Sequence, residues 1–339
     1  MKEKILIVIA LLFALGIGFM VGQIVLIKTQ KPTALVQKVI DRSLDKYTIP
    51  ALQNAWNNPS LFSNTTISIV KELKDYPKFT SSEFLMNANI NIDGKTMNKV
   101  SGLINTPKGN GKYPLIVMIR GYVPSEQYFI GNGTINGSLY FAKNGFITIA
   151  PDFLGYGDSD KETPNVFESR FQTYTVMMAL LKSINQIPNW DQKNVFIWAH
   201  SNGGQIGLTT LEITGLTYPT VLWAPVSSSF PFSILYYSDE TEDRGKFLRK
   251  ELSQFEDVYN TDLYSLSNYL GNIKAPIQLN QGTADDAVPV YWSDNLAKAL
   301  MDQGNEVTYN KIPGADHSMN PKWDDIVKSD LEFFTKNLR

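Results

Sequence analysis

The sequence contains no cysteine and only two histidines among its 339 residues. The lack of thiols excludes disulfides, thiolate metal sites, iron–sulfur clusters and a cysteine nucleophile. A basic surplus is also lacking, because 31 Lys and Arg face 33 Asp and Glu and leave a formal charge of -2. Without such a surplus to neutralise phosphates, we expect no nucleic-acid partner. Any mechanism that needs an imidazole base must use His200 or His317.

One long apolar run stands near the amino terminus, from Ile5 to Ile27, with Gln23 as its only clearly polar residue. A helix of this length spans about 30 Å, the thickness of a bilayer's hydrocarbon core. A cleaved signal peptide and a buried core helix are the alternatives, but the run is long for the first and very uniformly apolar for the second. We expect a single-pass signal anchor in the lipid bilayer and an extracytoplasmic catalytic domain, although the lysines on the two flanks do not distinguish the two orientations: Lys2, Lys4, Lys28 and Lys31.

The remaining chain divides at about residue 83. We interpret residues 1–4 as a short flank, 5–27 as the transmembrane helix and 28–82 as a helical extension, in which Pro50 interrupts the helical spacing of Val36, Ile40 and Leu44.

Residues 83–339 have a different texture, with short β-rich runs that alternate with helix-length segments. This alternation predicts an α/β domain with a mostly parallel central sheet and helices on both faces. An insertion at about 226–275 interrupts it. Because parallel sheets carry their sites at the carboxyl ends of strands, the chemistry is expected there.

A strand-like run, Val195–Trp198, leads into Ala199-His200-Ser201-Asn202-Gly203-Gly204 and then into a helical stretch. Strand, small-x-Ser-x-small turn and helix together form a nucleophile elbow, which places the serine where the helix dipole favours negative charge. We therefore predict that Ser201 is a nucleophile, the alternative being a serine in an ordinary loop.

The predicted nucleophile needs a base and a carboxylate. His317 lies in a turn-rich loop after a strand, whereas His200 adjoins the serine and its side chain should diverge, so His317 is the predicted base. Asp285 follows another strand and is the predicted carboxylate, with its neighbour Asp286 as the alternative.

The oxyanion hole requires two donors. The backbone N–H of Asn202 is one, and the N–H of Tyr122, in the Arg120-Gly121-Tyr122 turn after a strand, is the other. For substrate binding we predict a pocket formed by four aromatic residues of the insertion: Phe230, Phe232, Tyr236 and Tyr237. No metal and no cofactor is expected.

Five motifs resemble the α/β-hydrolase superfamily, specifically the prolyl oligopeptidase-like (S9) catalytic domain and the dienelactone hydrolase group. They are R-G-Y at 120–122, P-D-F-L-G-Y-G-D-S at 151–159, A-H-S-N-G-G at 199–204, G-T-A-D-D-A-V-P at 282–289 and G-A-D-H at 314–317, and the resemblance covers about residues 83–338. The last three carry the serine, the aspartate and the histidine in the order of that superfamily. Three residues depart from it, since Arg120, Ala199 and Gln281 stand where the family usually has His, Gly and His.

The resemblance implies an α/β-hydrolase fold, here preceded by the transmembrane helix, and a membrane-anchored serine hydrolase that acts through an acyl-enzyme. It points first to a prolyl oligopeptidase-like peptidase with a peptide or small-molecule substrate. A carboxylesterase or dienelactone hydrolase-like esterase is the alternative, followed by a non-catalytic binding protein of the same fold. The stretch between anchor and hydrolase core is too short for the β-propeller of full prolyl oligopeptidases.

Overall fold

The structure is a computed structural model that describes residues 41–339, and the predicted anchor at residues 5–27 lies outside the described residues. One nine-stranded sheet organises the described chain, with the order β1-β2-β3-β5-β4-β6-β7-β8-β9. The strands are β1 Thr66–Asp75, β2 Phe79–Ala88, β3 Asn98–Pro107, β4 Tyr113–Ile119, β5 Ile147–Pro151, β6 Trp190–His200, β7 Thr220–Trp223, β8 Ile277–Gly282 and β9 Val307–Ile312. The first three are antiparallel and join the rest through an antiparallel β3–β5 pair, whereas β4 to β9 are mutually parallel.

Helices cover both faces of the sheet. They are α1 Ile49–Trp56, α2 Ile135–Lys143, α3 Val166–Lys182, α4 Asn202–Thr214, α5 Phe232–Leu235, α6 Lys246–Glu256, α7 Val290–Asp302 and α8 Trp323–Lys336. Short 3-10 helices occupy Ser43–Tyr47, Ser125–Gln127, Ile184–Gln186, Ser238–Glu240, Thr261–Tyr264, Leu266–Asn268 and Leu270–Asn272. The predicted mostly parallel sheet with helices on both faces is confirmed.

Two apolar cores follow from the alternation of side chains along buried strands. In β4, Leu115 and Val117 pack on one face, in the core that includes residues of α3 and α4. Ile116 and Met118 pack on the opposite face with Phe141 of α2 and with residues of α8. Because both faces are covered, these strands are continuously apolar, which is why they are recognisable in the sequence.

The predicted helical extension over residues 28–82 is wrong for its second half, because β1 and the start of β2 belong to the sheet. β1 is an edge strand, exposed along nearly its whole length and interrupted by two register shifts, so no apolar alternation marks it. Pro50 does not interrupt a helix either. It lies in the first turn of α1, where its missing N–H is not needed, and Thr48 caps that helix.

The carboxyl ends of the parallel strands carry the predicted site. Ser201 directly follows β6, the Arg120–Tyr122 turn follows β4, Asp285 follows β8 and His317 follows β9. Within residues 41–339, no helix combines the length and the apolar character that crossing a membrane requires.

A buried carboxylate fastens α8 to the sheet. Asp330 is fully buried and accepts four hydrogen bonds, from the indole N–H groups of Trp198 (3.3 Å) and Trp223 (2.7 Å) and the amides of Gln278 (2.7 Å) and Asn280 (2.9 Å). The donors come from β6, β7 and β8, so one side chain joins three strands to the last helix. Such a carboxylate is tolerated because each of its oxygens accepts two hydrogen bonds.

We expect Asp330→Ala to lower the free energy of unfolding by about 3–5 kcal/mol, because it leaves four buried donors without an acceptor. Urea denaturation followed by circular dichroism measures the loss. Asp325→Ala, an exposed position of the same helix, is the matched control and should cost no more than about 1 kcal/mol. Equal losses in the two variants would contradict the proposed fastening.

Candidate active site

Ser201 lies on a strained turn between β6 and α4. Its φ of 56° and ψ of -122° place a non-glycine residue outside the usual regions of backbone conformation. The turn is held by β7 and its following loop, since the Ser201 N–H donates to the carbonyl of Trp223 (2.9 Å) and the Ser201 carbonyl accepts from the N–H of Val226 (3.0 Å). The Ser201 hydroxyl does not cap α4. It is therefore not committed to the helix that it precedes.

Small residues make room for this turn. A Cβ on Gly203 would lie 2.3 Å from the carbonyl oxygen of Ile119, and one on Gly204 would lie 2.5 Å from Cβ of Pro225, so neither position accepts a side chain. The methyl group of Ala199, where the family usually has glycine, is accommodated by a further glycine in α4. A Cβ on that residue, Gly207, would lie 3.3 Å from Cβ of Ala199.

The structure brings His317 and Asp285 together. Nδ1 of His317 lies 2.9 Å from Oδ2 and 3.1 Å from Oδ1 of Asp285, whose side chain is fully buried. Oδ1 also accepts the backbone N–H groups of Ala287 (2.9 Å) and Val288 (2.8 Å). Burial alone would raise the pKa of Asp285, but the hydrogen bonds from His317 and Val288 outweigh it and hold that pKa below its ordinary value. Asp286, the alternative, is exposed to solvent.

Gln281 is a further residue of this site, and the sequence marked it only as a departure from the usual histidine. It is fully buried, and its Nε2 donates to Oδ2 of Asp285 at 2.8 Å. Its own Oε1 accepts from the hydroxyl of Ser293 at 2.7 Å, which fixes the orientation of the amide. Asp285 is thus held by a side chain on the strand that precedes it.

His200 contacts the predicted base through the main chain. Its Nε2 lies 3.0 Å from the carbonyl oxygen of His317, and because a carbonyl only accepts, Nε2 carries the proton. The centroids of the two imidazole rings are 4.6 Å apart. Burial, followed by the nearby charge of His317, lowers the pKa of His200 to about 4, so its ring is neutral at physiological pH. His200 therefore lies between the serine turn and the loop of His317.

The turn after β4 lies against the serine. A Cβ on Gly121 would be 3.0 Å from Cβ of Ser201, so any side chain here would press on the serine turn. The buried guanidinium of Arg120 donates to the carbonyl oxygens of Gly121 (2.9 Å) and Asp152 (3.0 Å) and stacks over the Tyr156 ring at 4.0 Å. Because C=O and N–H of a trans peptide point in opposite directions, a Gly121 carbonyl held by Arg120 turns the Tyr122 N–H away from the guanidinium.

Within residues 41–339, the N–H groups of Tyr122 and Asn202, the two predicted oxyanion donors, donate no hydrogen bond to the protein. Both residues line one cavity of about 250 Å³ between the turn after β4 and the amino-terminal turns of α3 and α4. The Tyr122 side chain is 73% exposed, so its ring belongs to the rim of the site.

The four aromatic residues predicted to bind substrate do not form one pocket. The prediction is wrong for Phe230, which is buried in the main core and packs edge-on against Phe167 and Phe171, because this part of the insertion folds back onto α3. Phe232 and Tyr236 are about half exposed, with their rings 6.3 and 5.1 Å from the ring of Trp292.

Tyr237 packs against a small separate cluster of Val226, Val288 and Trp292. Burial, reinforced by the charges of Tyr236 and Asp285, raises the pKa of Tyr237, so its hydroxyl is protonated at physiological pH. Three of the four predicted residues thus surround Trp292 on the Asp285 side of the site, and their role in binding stays a prediction.

A parallel sheet of this order, with a serine on a strained strand–helix turn and a histidine–aspartate pair after later strands, defines an α/β-hydrolase, and the protein is a serine hydrolase. Residues 135–339 match the sequence profile of the prolyl oligopeptidase family, Peptidase_S9, and the chain belongs to this family.

Three known proteins illustrate the similarity. The acetyl esterase Axe7A of Xylanibacter ruminicola is 25% identical over 215 residues, which cover 56% of this chain and 46% of that protein, so the chain spans about half the length of this curated relative. The structure of an acetyl xylan esterase from Paenibacillus sp. R4 is 18% identical, with a TM-score of 0.64 over 88% of this chain and 96% of that one. Dipeptidyl peptidase 4 of Porphyromonas gingivalis is 17% identical, with a TM-score of 0.53 over 81% of this chain and 35% of that one. The two structures show a shared fold.

We expect Gln281→Leu to lower kcat for an activated ester such as 4-nitrophenyl acetate by about 10-fold or more, with a smaller change in KM, because Asp285 loses a charge-assisted hydrogen bond. Steady-state kinetics and the melting temperature are measured together. Gln303→Leu, at an exposed position, is the matched control. A folded Gln281→Leu protein with the wild-type kcat would show that the amide does not position Asp285.

Proposed function

We propose that the protein is a serine esterase that cleaves small acyl esters through an acyl-enzyme on Ser201. The observation that carries this proposal is the bond between Nδ1 of His317 and the buried Asp285 carboxylate, at 2.9 Å. Because Nδ1 donates to the carboxylate, the lone pair of the neutral ring lies on Nε2, which is the nitrogen that a base must offer to a serine hydroxyl. Ser201 supplies that hydroxyl, since its backbone is strained and its side chain is not used to cap α4.

The reaction then proceeds in two balanced halves. Nε2 of His317 takes the Ser201 proton as Oγ attacks the carbonyl carbon of the ester, and Asp285 stabilises the resulting imidazolium. The oxyanion accepts hydrogen bonds from the backbone N–H groups of Asn202 and Tyr122. The N–H of Tyr122 is oriented by the hydrogen bond that Arg120 donates to the Gly121 carbonyl. The alcohol leaves with the proton from His317, and a water molecule repeats the sequence to release the acid and free the serine.

Ester cleavage is favoured over peptide cleavage by the similarity to an acetyl esterase and to an acetyl xylan esterase. A cavity of about 250 Å³ beside Asn202 also suits a short acyl group better than a peptide. Peptide cleavage is the second candidate, favoured by the match to the prolyl oligopeptidase family and to a dipeptidyl peptidase. In that case Phe232, Tyr236 and Tyr237 are the side chains available for selectivity.

We expect Ser201→Ala to remain folded and to lose 4-nitrophenyl acetate hydrolysis by several orders of magnitude, together with labelling by a fluorophosphonate probe. His317→Ala should lose both as well, whereas His200→Gln, which keeps a donor for the His317 carbonyl, should keep labelling. Gel fluorescence after probe treatment and initial rates measure the two outcomes. Residual activity of Ser201→Ala above about a tenth of wild type would place the nucleophile elsewhere.

A second arm of this experiment separates the two candidate functions. Wild-type protein is assayed with 4-nitrophenyl acetate and with aminoacyl-prolyl 4-nitroanilides, whose amine must be protonated as it leaves. Turnover of the ester without turnover of the anilides supports the esterase. A kcat/KM for an anilide that equals or exceeds that for the ester would favour the peptidase.

We further propose that residues 5–27 anchor the protein in a membrane, with the hydrolase outside the cytoplasm. The support is the length and the apolar character of this run. Full-length protein is then expected in the membrane pellet after a carbonate wash, and a chain that begins after Lys31 is expected in the supernatant with its activity intact. A mature amino terminus near residue 28, found by mass spectrometry, would indicate a cleaved signal instead.

A further inference from the structure

The cavity beside the oxyanion donors combines apolar side chains such as Leu154 and Ile206 with two arginines, although it would receive a small acyl group. It is lined by Tyr122 and Asn202 on the side of the serine, and by two arginines, Arg120 and Arg170, with Glu162 on the side of α3. Acyl pockets are commonly apolar. Two guanidinium groups in the wall therefore indicate a ligand with negative charge, provided that one of the two groups is available to bind it.

Arg120 already has several partners within the protein, although within residues 41–339 it forms no salt bridge and its Nε has no hydrogen-bond acceptor. Its guanidinium stacks on the Tyr156 and Tyr128 rings, at 4.0 and 4.9 Å, and bonds two carbonyl oxygens. The buried Asp152 carboxylate lies close enough for the charge of Arg120 to act on it. Arg120 thus holds the turn after β4, and it is not the free cation of the cavity.

Arg170 is different. It lies in the second turn of α3, half-buried, and within residues 41–339 it forms no salt bridge and, unlike Arg120, stacks on no aromatic ring. Its Nη2 donates at 2.8 Å to Oε1 of Gln205, a buried residue in the first turn of α4. The amide of Gln205 bonds in turn to Tyr174 and Thr209 and cannot rotate freely. The guanidinium is therefore oriented by a neutral partner that leaves its charge uncompensated.

A second, independent feature is Tyr237, which packs against Val226, Val288 and Trp292 on the Asp285 side of the site. The hydroxyl of Tyr237 is buried and has no hydrogen-bond partner in the described chain. Burial raises the pKa of Tyr237, and the positive charge of Arg170 opposes this rise only as the smallest of several influences. A phenol O–H and a guanidinium, both without an acceptor that matches them, are the donors that a carboxylate requires.

We propose that this cavity binds a carboxylate carried by the substrate near its scissile ester, with Arg170 as the cation. The inference rests on the proposed function, since it names the class of ester that the site at Ser201 takes. Arginine suits this role because its planar fork meets a carboxylate with two parallel hydrogen bonds. The carboxylate belongs either to the acyl group or to the alcohol, and the two sources are distinguished by experiment.

The test compares pairs of esters that differ by one charge. The acyl-side pair is mono-4-nitrophenyl succinate and its methyl ester, and the alcohol-side pair is 4-acetoxybenzoate and its methyl ester. We expect wild-type kcat/KM to favour the charged member of one pair by about 10- to 100-fold, the range for a charge-assisted hydrogen bond. This preference should shrink as sodium chloride is raised from about 0.02 to 0.5 M, because salt screens partly exposed charges.

Variants assign the preference to one side chain. Arg170→Met should reduce the charged-to-neutral ratio by about 10-fold or more, and Arg170→Lys should keep part of it. Glu162→Gln should raise the ratio, because it removes the carboxylate of the cavity wall. Arg249→Met is the matched control, since it deletes the same charge at an exposed position paired with Asp239, and it should leave the ratio unchanged.

The outcomes separate this inference from the function on which it rests. If the neutral esters are hydrolysed but wild type shows no preference in either pair, or Arg170→Met keeps the preference, the carboxylate site is overturned and the esterase stands. If no ester is hydrolysed and Ser201 is not labelled, both fail. Should Arg170→Met not fold, the ratios of Arg170→Lys and Glu162→Gln, read with the salt dependence of wild type, decide in the same way.

Discussion

The positive-φ backbone of Ser201 depends on its neighbours: the turn after β4 and the start of α4 leave space for it, and the end of β7 with its following loop hydrogen-bonds to it. The turn after β4 meets the serine turn at Gly121 and Gly203. A side chain at Gly203 would collide with the carbonyl oxygen of Ile119, and one at Gly121 would press on Ser201. The end of β7 then fixes the serine by two main-chain hydrogen bonds. The position of the hydroxyl is thus set by the packing of three parallel strands, and the conformational strain is balanced by interactions spread across the sheet.

The buried charged groups around the site each have several partners in the protein. Asp285 is buried, yet it remains an anion because His317, Gln281 and two backbone N–H groups all donate to it. Arg120 is buried and is matched by carbonyl oxygens, aromatic rings and Asp152. Arg170 differs from Arg120, since within the described chain its guanidinium donates only to the neutral amide of Gln205 and stacks on no aromatic ring.

Sequence patterns predicted the features that depend on local spacing. The strand–turn–helix around Ser201 and the apolar runs of the parallel strands can be predicted because each is encoded by consecutive residues. β1 was not predictable, because an exposed edge strand lacks the alternation that burial imposes. The error at Phe230 has another cause, since an aromatic residue in an insertion is equally suited to a pocket wall and to a core, and only the return of the chain onto α3 decides. Gln281 and Arg170 act through partners 4 and 35 residues away along the chain, and Arg120 acts through the adjacent Gly121 and through Asp152, 32 residues away. No spacing pattern in the sequence shows that these side chains meet those partners.

The fastening of α8 by Asp330 also bears on when the protein acquires activity as it folds. A domain generally folds as one unit, so its parts acquire their native contacts together. The carboxylate of Asp330 finds its four donors only when β6, β7 and β8 have assembled. The loop that carries His317, the base of the proposed mechanism, lies between β9 and α8. Docking of α8 and placement of the proposed base are therefore coupled, and we expect reactivity toward esters to appear only with the completed fold.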